Sequence, residues 1–426
     1  MKYLKIYSNL SLLIVLIVPL LILGPFFPDL IVSLSSLFFL IYLLINKNFF
    51  CLVKKPLIIF FTFCAYCILV SIFIAKDILL SFQSSLFYFR IGVFVCLIYY
   101  LIDNNKKILN YFYYTLIACF SAIAVGGYIE FFYIFYESDI KGISISNNHI
   151  TSFFGDETIM GSYLSRLFPI LFALFLLRRK NKFEIYYISC LFVLVDVLIY
   201  ISGERTAFFF LNLSTLFIIF FIKKYQKLRL ISFLCSFVII LLVTISSDKI
   251  ADRMVHDTFK SMGFTKDSNT KNIFSSSHDS LIRTAYNMFL DKPIFGHGPK
   301  MFRVMCKDEK YATEVSSCNT HPHNFYVQLL AETGIIGFSF LLCAFCYVLY
   351  CAYRQLKSIV FNQKRYLTDY QVCLLAGILI TVWPFSPNGN FFNNWLAIVY
   401  SLPVGFYLHS IYGKNRKLTL FLSDKY

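Results

Sequence analysis

Two histidines stand one residue apart at the beginning of an apolar segment, in the stretch NTHPHNFYVQLLAETGIIGF (319–338). Pro322 restricts the backbone between them, and we predict that a helix begins near His323. A helix N-terminus lowers the pKa of an imidazole, because the helix dipole disfavours the cation. A neutral imidazole accepts a proton, so His323 is a candidate general base. His321 is a second candidate, for substrate binding, although a histidine beside an apolar segment can also be only a polar anchor.

Three arginines lie inside or beside apolar segments: Arg90 in SSLFYFRIGVF, Arg166 in DETIMGSYLSRLFP and Arg205 in SGERTA. Ionisable groups inside a bilayer are costly and usually face a cavity. A guanidinium binds phosphate oxygens two at a time, so three of them at one depth predict a phosphate or diphosphate ligand. In the alternative interpretation, each arginine reaches lipid headgroups or pairs with an acid. The acids available for such pairs are Asp196, Glu130 and Glu204.

The segment SGERTA is itself typical of an anion site. Its serine and glycine are expected to end one helix, and Glu204, a candidate for substrate binding, and Arg205 begin the next, so the free amides of the new N-terminus favour an anion. Further along the chain, an amphipathic helix at about 280–290 carries Arg283 and ends at the turn DKPIFGHGP. Arg283 is either a fourth phosphate ligand or an ordinary surface charge.

The elements that must position these residues are apolar helices. Of the 426 residues, 58% are hydrophobic and 15% are charged, whereas soluble chains are about 45–50% apolar and about 25% charged. The apolar residues form blocks of about 17–25, the length that spans a bilayer. We therefore predict an all-α, polytopic transmembrane helix bundle of about twelve spanning helices. The predicted spans are 7–24, 28–45, 57–75, 84–102, 110–136, 159–177, 183–202, 206–222, 229–247, 323–352, 370–384 and 392–411.

Positive charge is distributed unevenly over the loops. Short basic loops such as RRKNK and KKYQKLR, with the two termini, carry more than half of the 39 Lys and Arg. Lys and Arg accumulate on the cytoplasmic side of membrane proteins, so we predict that both termini are cytoplasmic. The chain then divides into helices 1–9 (1–247), one long periplasmic loop (248–322) and helices 10–12 with a tail (323–426). This topology and the attraction to anionic membrane lipids explain the formal net charge of +16, and no nucleic-acid partner is expected.

Thirteen cysteines are present, and only Cys306 and Cys318 lie in the long external loop. In an oxidising compartment such a pair predicts a disulfide, and the alternative is two free thiols. The pairs in CAYC and CAFC have the spacing of metal ligands but lie in apolar helices, where cysteine is a small hydrophobic residue. The sequence contains no phosphate-binding loop, dinucleotide fingerprint or paired Cys/His zinc spacing, so no metal and no cofactor are predicted.

These stretches resemble the O-antigen ligase/polymerase superfamily of bacterial envelope glycosyltransferases. The ligases carry a histidine, then Asn, Ser or Gln, nine residues, a glycine, two residues, and Gly, Thr or Tyr. Here His323 and Asn324 are followed by nine residues, and Gly334 and Gly337 fall in register. SGERTA resembles the arginine-bearing segment of the family, and RTAYNMFLDKPIFGHGPKMF resembles its run before the histidine. The two glycines are also expected to let another helix approach closely.

The resemblance implies a reaction and a location. The donor would be a glycan on a polyprenyl diphosphate, usually undecaprenyl diphosphate, and the acceptor a lipid A-core sugar or a similar lipid-linked glycan. Transfer would be inverting, metal-independent and at the periplasmic face of the bacterial inner membrane. Arg205 and Arg283 would bind the diphosphate, and His323 would assist the acceptor hydroxyl. Asn324 could orient the imidazole or a sugar hydroxyl.

The expected function is therefore a glycan ligase, and two alternatives stay open. A polymerase that extends another lipid-linked repeat would use the same donor site. A transporter or flippase for a lipid-linked anion belongs to another class, and it should show inverted repeats and helices broken near the midplane of the membrane. Neither feature is evident in the sequence, where the charged residues gather at one face.

Overall fold

A computed structural model of the chain describes residues 2–47, 49–141, 149–178, 181–263, 275–314 and 317–414, with side chains from residue 9 onward except 135–141 and 276–277. Regular structure in these ranges is helical and includes no strand, which confirms the predicted all-α class. The α-helices are α1 (Lys2–Val15), α2 (Ile17–Leu23), α3 (Phe26–Ile45), α4 (Lys55–Phe73), α5 (Ile78–Leu86), α6 (Phe89–Asn104), α7 (Lys107–Lys141), α8 (Met160–Leu176), α9 (Lys182–Ile201), α10 (Arg205–Phe221), α11 (Gln226–Ser246), α12 (Asp248–Ala251), α13 (Asp257–Ser261), α14 (Ser276–Asp291), α15 (Phe302–Met305), α16 (Phe325–Val360), α17 (Asp369–Thr381) and α18 (Asn394–Tyr412).

In the described ranges, eight helical segments are long and apolar enough to cross a membrane. Four shorter apolar segments, Asn9–Leu23, Met160–Leu176, Arg205–Phe221 and Asp369–Thr381, occupy the remaining four predicted spans. The predicted polytopic helix bundle is therefore confirmed. Helices α8 and α10, with 17 residues each, are at the lower end of the about 17–25 residues that cross the hydrocarbon core, and α17, with 13 residues, is below it.

The ends of three short helices meet in the bundle. Glu204, at the start of α10, accepts hydrogen bonds from the backbone N–H groups of Gly161 and Ser162, at the start of α8. One turn further into α8, Arg166 donates to the carbonyl oxygen of Ile380, near the end of α17. The first residues of α8 and α10 and the last residues of α17 therefore surround one common region.

Helix α8 forms the centre of the bundle, because it is largely apolar apart from Arg166, and a helix that is apolar all round is buried on all sides. Its residues from Met160 to Leu176 are buried, apart from the partly exposed Ser162. By contrast, α11 exposes large apolar side chains such as Phe237 and Leu241. Such a surface suits contact with lipid chains.

Helix α16 is broken at Gly334, whose φ of 63° and ψ of −168° are not helical. The loop 293–298 lies against this break and replaces the lost helical hydrogen bonds. The N–H of Ile335 donates to the carbonyl of Pro293, and the N–H groups of His297 and Gly298 donate to carbonyls of the last turn before the break.

The expected role of Gly334 and Gly337 in helix packing requires correction. A Cβ atom at Gly334 would lie 2.2 Å from the carbonyl oxygen of Ile294, so the close approach is to the loop 293–298 and not to another helix. At Gly337, the space is filled by the side chain of Thr333 from the same helix, 2.0 Å from the position of a Cβ atom. Both glycines therefore serve the broken helix itself.

Helices α14 and α15, from the long polar segment between α11 and α16, pack on the first half of α16. A small core joins α14 and α15 to Ala331 of α16; it includes Leu281, Ala285, Met288, Met301 and Phe302. The segment is closed near its end by a disulfide between Cys306 and Cys318, whose Cα atoms are 5.0 Å apart. These contacts hold the chain that leads into the histidine pair.

Candidate functional site

The predicted base His323 lies in a cluster of three imidazole rings. Its ring centroid is 4.1 Å from that of His321 and 5.1 Å from that of His278, which it meets edge to face at 89°. His278 lies in the first turn of α14 and was not predicted. Its signal in the sequence is its place in FSSSHDS at the start of an amphipathic helix, which parallels the place of His323 just before α16.

His323 lies outside the helix that it was expected to begin. Helix α16 starts at Phe325, and His323 has a positive φ of 54°. The backbone N–H of Asn388 donates to the carbonyl oxygen of His323 at 2.7 Å. The side-chain Nδ2 of Asn319 lies 3.2 Å from Nε2 of His323. The histidine is thus held by its main chain as well as by its ring.

The imidazoles of the pair are neutral near pH 7. Burial, and then the neighbouring His278, lower the pKa of His323 from its ordinary value to about 4. Burial, and then His323 and Arg303, lower the pKa of His321 to about 3. The predicted direction agrees with this result, but the main cause is burial and not the helix dipole. A neutral ring can accept a proton or a hydrogen bond.

Asn324 occupies a structural position. Its Oδ1 accepts hydrogen bonds from the N–H groups of Tyr326 and Val327, so it is the N-cap of α16. Its Nδ2 donates to the carbonyl oxygen of Pro384 at 2.8 Å, and the residue is only 2% exposed. Both ends of the amide are therefore engaged, in place of the expected contact with the imidazole or a sugar hydroxyl.

Arg205 is the predicted arginine that the structure brings to the histidines. It is exposed at the first position of α10, where its Nη1 donates to Oγ1 of Thr258 at 3.2 Å. Its charge, second to burial, lowers the pKa of both His278 and Arg253. Arg205, Arg253 and the histidine cluster therefore share one electropositive region.

Arg253 and Arg303 are two cations of this region that were not predicted. Arg253 packs on the backbone of Gly203, where a Cβ atom would lie 2.2 Å from Nε of the guanidinium. Gly203 has a φ of 79°, so the glycine of SGERTA serves both the turn and this close contact. Arg303, on α15, is close enough to lower the pKa of His321. Neither arginine stands in a recognisable motif, since both lie in polar parts of the long loop.

The carboxylate of Glu204 is engaged in hydrogen bonds with the protein backbone. It accepts from the N–H groups of Gly161 at 2.6 Å and Ser162 at 3.2 Å, which satisfies the start of α8. Burial raises the pKa of Glu204 to about 7, and these two hydrogen bonds oppose the shift. Glu204 thus connects α10 to α8 in the position where a substrate contact had been expected.

Arg90 and Arg166 are not brought to the histidine rings, and the predicted common depth of three arginines does not produce one cluster. Arg90 forms an ion pair with Asp29 and donates to Ser33, both on α3. Arg166 is 4% exposed and lies between the rings of Phe210 and Tyr400, each 4.3 Å from its guanidinium carbon. Arg90 thus pairs with an acid, as in the alternative interpretation, but its partner Asp29 is not one of the three acids expected there.

The acids proposed as partners also have other contacts. Asp196 is paired with Arg229 at 3.0 Å, and the side chain of Arg229 is fully buried although the residue belongs to the predicted basic loop KKYQKLR. Glu130 accepts hydrogen bonds from the backbone N–H groups of Thr151 and Ser152. Neither acid contacts the predicted arginines among the described residues.

Arg283 lies on the exposed side of α14. It forms an ion pair with Asp279 one turn earlier, and its side chain is 65% exposed. In the described part of the chain no contact joins it to the histidine rings. Its predicted role in diphosphate binding would require it to exchange Asp279 for the ligand.

A buried polar network lies in the first turns of α16, shortly after the histidine pair in the chain, and was not predicted. Gln328 donates from Nε2 to Glu332 and to Asn390, each at 3.0 Å, and its Oε1 accepts from the N–H of Phe391. Glu332 also accepts from the N–H of Phe302 at 3.1 Å. The network ties α16 to α15 and to the chain before α18, and so it holds these elements together next to the histidine pair.

An apolar cavity of about 280 Å³ begins next to this polar network. Its lining includes Phe325 and Leu329 from the first turns of α16, Phe391 and Tyr400 beside them, and Leu57 and Leu408 further away. Apolar side chains form nearly all of the wall. A cavity of this kind suits a hydrocarbon chain.

The site combines neutral imidazoles with nearby guanidinium groups. Such an arrangement can accept a proton while it binds an anion. Within the described ranges, no group of three or more His, Cys, Asp or Glu side chains is arranged to bind a metal ion.

The family model for O-antigen ligase matches residues 188–342. This range includes SGERTA, the three histidines, α14 and the two motif glycines. No curated protein matches the chain. The family match and the membrane helices indicate membrane glycan transfer of the ligase or polymerase type, with lipid-linked glycan substrates. The match over residues 188–342, less than half of the chain, supports a relation to the O-antigen ligase-like superfamily.

Proposed function

We propose that this protein is a glycan ligase of the bacterial inner membrane, which transfers an oligo- or polysaccharide from undecaprenyl diphosphate to a lipid A-core or similar acceptor at the periplasmic face. The observation that carries the proposal is the position of His323. Its neutral imidazole touches two further imidazoles and lies in the same electropositive region as Arg205.

The donor site is formed by cations and by the apolar cavity. Arg205 is exposed at a helix start, where both its guanidinium and the helix N-terminus favour a phosphate. Arg253, close to Arg205, and Arg303, close to His321, add positive charge to the same region. The cavity that begins at Phe325, two residues after His323, would hold part of the prenyl chain.

The transfer step follows from these positions. The imidazole of His323 accepts the proton of the acceptor hydroxyl as the hydroxyl oxygen forms a bond to the anomeric carbon of the donor. The bond between that carbon and the phosphate oxygen breaks on the opposite face, so the configuration inverts. The polyprenyl diphosphate leaves with the electron pair, and the arginines stabilise its added negative charge.

The test is glycan transfer by the purified protein in detergent, from a polyprenyl diphosphate-linked glycan to a lipid A-core acceptor. We expect His323→Ala to lower the rate by about 10²–10⁴-fold, the usual contribution of a positioned base. His321→Ala should retain a measurable rate, because His321 stands outside the family register. A chelator should not change the wild-type rate.

The products separate this proposal from its alternatives. A ligase joins one preformed glycan to the core acceptor, whereas a polymerase yields lipid-linked products of increasing length without a core acceptor. Full activity in His323→Ala with loss in His321→Ala would show that the base is the other imidazole. Loss of wild-type activity with chelator would contradict the metal-independent step.

A further inference from the structure

Arg166 is a buried cation with an unusual set of contacts. Its Nη1 donates to the carbonyl oxygen of Ile380 at 2.9 Å, and its Nη2 donates to Oδ1 of Asn388 at 3.2 Å. Phe210 and Tyr400 cover the guanidinium. Among the described residues, no carboxylate lies within ion-pair distance of Arg166. A buried charge without a counter-ion is costly, so a specific benefit is expected from it.

Asn388 connects this arginine to the candidate base. Its side chain accepts from Arg166, and its backbone N–H donates to the carbonyl oxygen of His323 at 2.7 Å. Only one residue therefore separates the guanidinium from the main chain of the candidate base. Asn388 is 6% exposed, so this link is protected from water.

The backbone of His323 needs such support. A non-glycine residue at a φ of 54° is strained, at a cost of roughly 1–2 kcal/mol. The segment 382–390 provides the support from one side. Besides Asn388, the carbonyls of Pro384 and Val382 accept hydrogen bonds from the side chains of Asn324 and Tyr326, which follow His323 in the chain. Arg166 ties this segment to the central helix α8.

We propose that Arg166 is a positioning residue, which holds the segment 382–390 and thereby fixes the backbone of His323 in its reactive orientation. The inference rests on the proposed role of His323 as base. It replaces the expectation that Arg166 binds phosphate, since the aromatic rings and the protein hydrogen bonds occupy the guanidinium. The contribution of Arg166 is thus made through another residue and not by contact with substrate.

The experiment compares Arg166→Met and Asn388→Ala with wild type. Both changes remove the bond between the guanidinium and Oδ1, and the second leaves the arginine in place if the first disturbs folding. We expect kcat to fall about 10- to 100-fold, because small misplacements of a catalytic group have effects of this order. The KM for the donor should stay within about twofold, since no substrate contact is lost. Asn388→Asp keeps an acceptor for Arg166 and should retain more of kcat than Asn388→Ala.

Two controls separate positioning from general damage. Arg178 lies just after the other end of α8 and also packs on two aromatic rings, Tyr113 and Tyr114, so Arg178→Met is a matched change at a distance. It should leave kcat unchanged. In a His323→Ala background, Arg166→Met should cause no further loss, because the group that it positions is gone. An additional loss of tenfold or more in that background would overturn the inference.

A measurement that does not depend on transfer completes the test. The rate at which diethyl pyrocarbonate modifies His323, followed by peptide mass spectrometry, reports the exposure and orientation of the ring. We expect this rate to change severalfold in Arg166→Met and Asn388→Ala but not in Arg178→Met. If wild type transfers no glycan and the rates still change, the proposed function fails and the positioning stands. Unchanged rates, or a raised donor KM with unchanged kcat, would contradict the positioning role.

Discussion

At the scale of single residues, the site depends on the environment of each charge. His323 is held neutral by burial and by His278, and the exposed Arg205 offers its guanidinium beside the cluster. Arg90 has the same chemistry as Arg205 but is engaged by Asp29. Residue type alone therefore does not separate a ligand-binding arginine from a structural one.

Replacement of Arg205 by lysine tests whether the guanidinium itself is needed. We expect Arg205→Lys to lower kcat/KM for the donor by about 10-fold or more, because an ammonium group is a point charge and does not grip two phosphate oxygens in a plane. Steady-state kinetics with a diphosphate donor measures the effect. Arg354→Lys, an exposed arginine near the other end of α16 that also donates to a hydroxyl, is the control. A fully active Arg205→Lys variant would exclude the bidentate contact.

The pH dependence of transfer reports the state of the base. Because the pKa of free His323 is lowered to about 4, its ring stays neutral as the pH falls through the ordinary histidine range near 6.5. Protonation of this base should therefore leave kcat/KM unchanged from about pH 8 to pH 5. We expect kcat/KM to fall as the pH approaches 4, where His323 becomes protonated. A decline centred near pH 6.5 would indicate that a solvent-exposed imidazole is the base instead.

At the scale of the elements, the break in α16 explains the spacing of the family motif. The histidine stands before the helix and the glycine ten residues after Asn324 lies at the break, where the loop 293–298 docks. The motif therefore joins two features: the entry of the helix, which carries the proposed base, and the break, which binds the loop between α14 and α15. The disulfide between Cys306 and Cys318 closes the loop that follows α15.

Gly334→Ala tests the docking of this loop. Gly334 and Gly155 have nearly equal positive φ angles of 63° and 61°, but only at Gly334 would a Cβ atom clash with backbone. We expect Gly155→Ala to cost about 1–2 kcal/mol of stability from the φ angle alone. Gly334→Ala should cost clearly more and should also reduce transfer, because the loop is displaced. Thermal unfolding in detergent and the transfer assay measure both. Equal effects of the two variants would contradict the docking argument.

At the scale of the whole molecule, the orientation in the membrane decides which substrates reach the site. We predict cytoplasmic termini and a periplasmic segment 248–322 from the asymmetry of Lys and Arg between loops. The short helices α8, α10 and α17 have their joined ends near this segment, so a site formed there would open to the periplasmic side.

Reporter fusions test this orientation. A reporter that is active only in the cytoplasm should be active after Lys414 and inactive after Met262, and a periplasmic reporter should give the opposite pattern. The physical basis is that each apolar helix crosses once and that positive loops are retained inside. The same reporter response at both positions would contradict the twelve-helix topology.

The sequence by itself determined the helical class, the positions of the apolar helices and the resemblance to the O-antigen ligase family, and it marked His323 and Arg205 as candidates. These properties follow from local features: the length of apolar blocks, which must match a bilayer, and the short-range spacing around the histidine. His323 and the start of α10 could be found because a motif and a helix break mark them.

Only the tertiary structure decided which side chains meet. His278 and Arg253 come to the site from the long loop, and Arg166 turns away from it to hold Asn388. Asn324, Gly334 and Gly337 proved to serve the local structure of α16, which their spacing did not reveal. The physical reason is that the free energy of a charge or polar group in a membrane bundle depends on its neighbours in adjacent helices. Those neighbours are set by packing and not by their order along the chain.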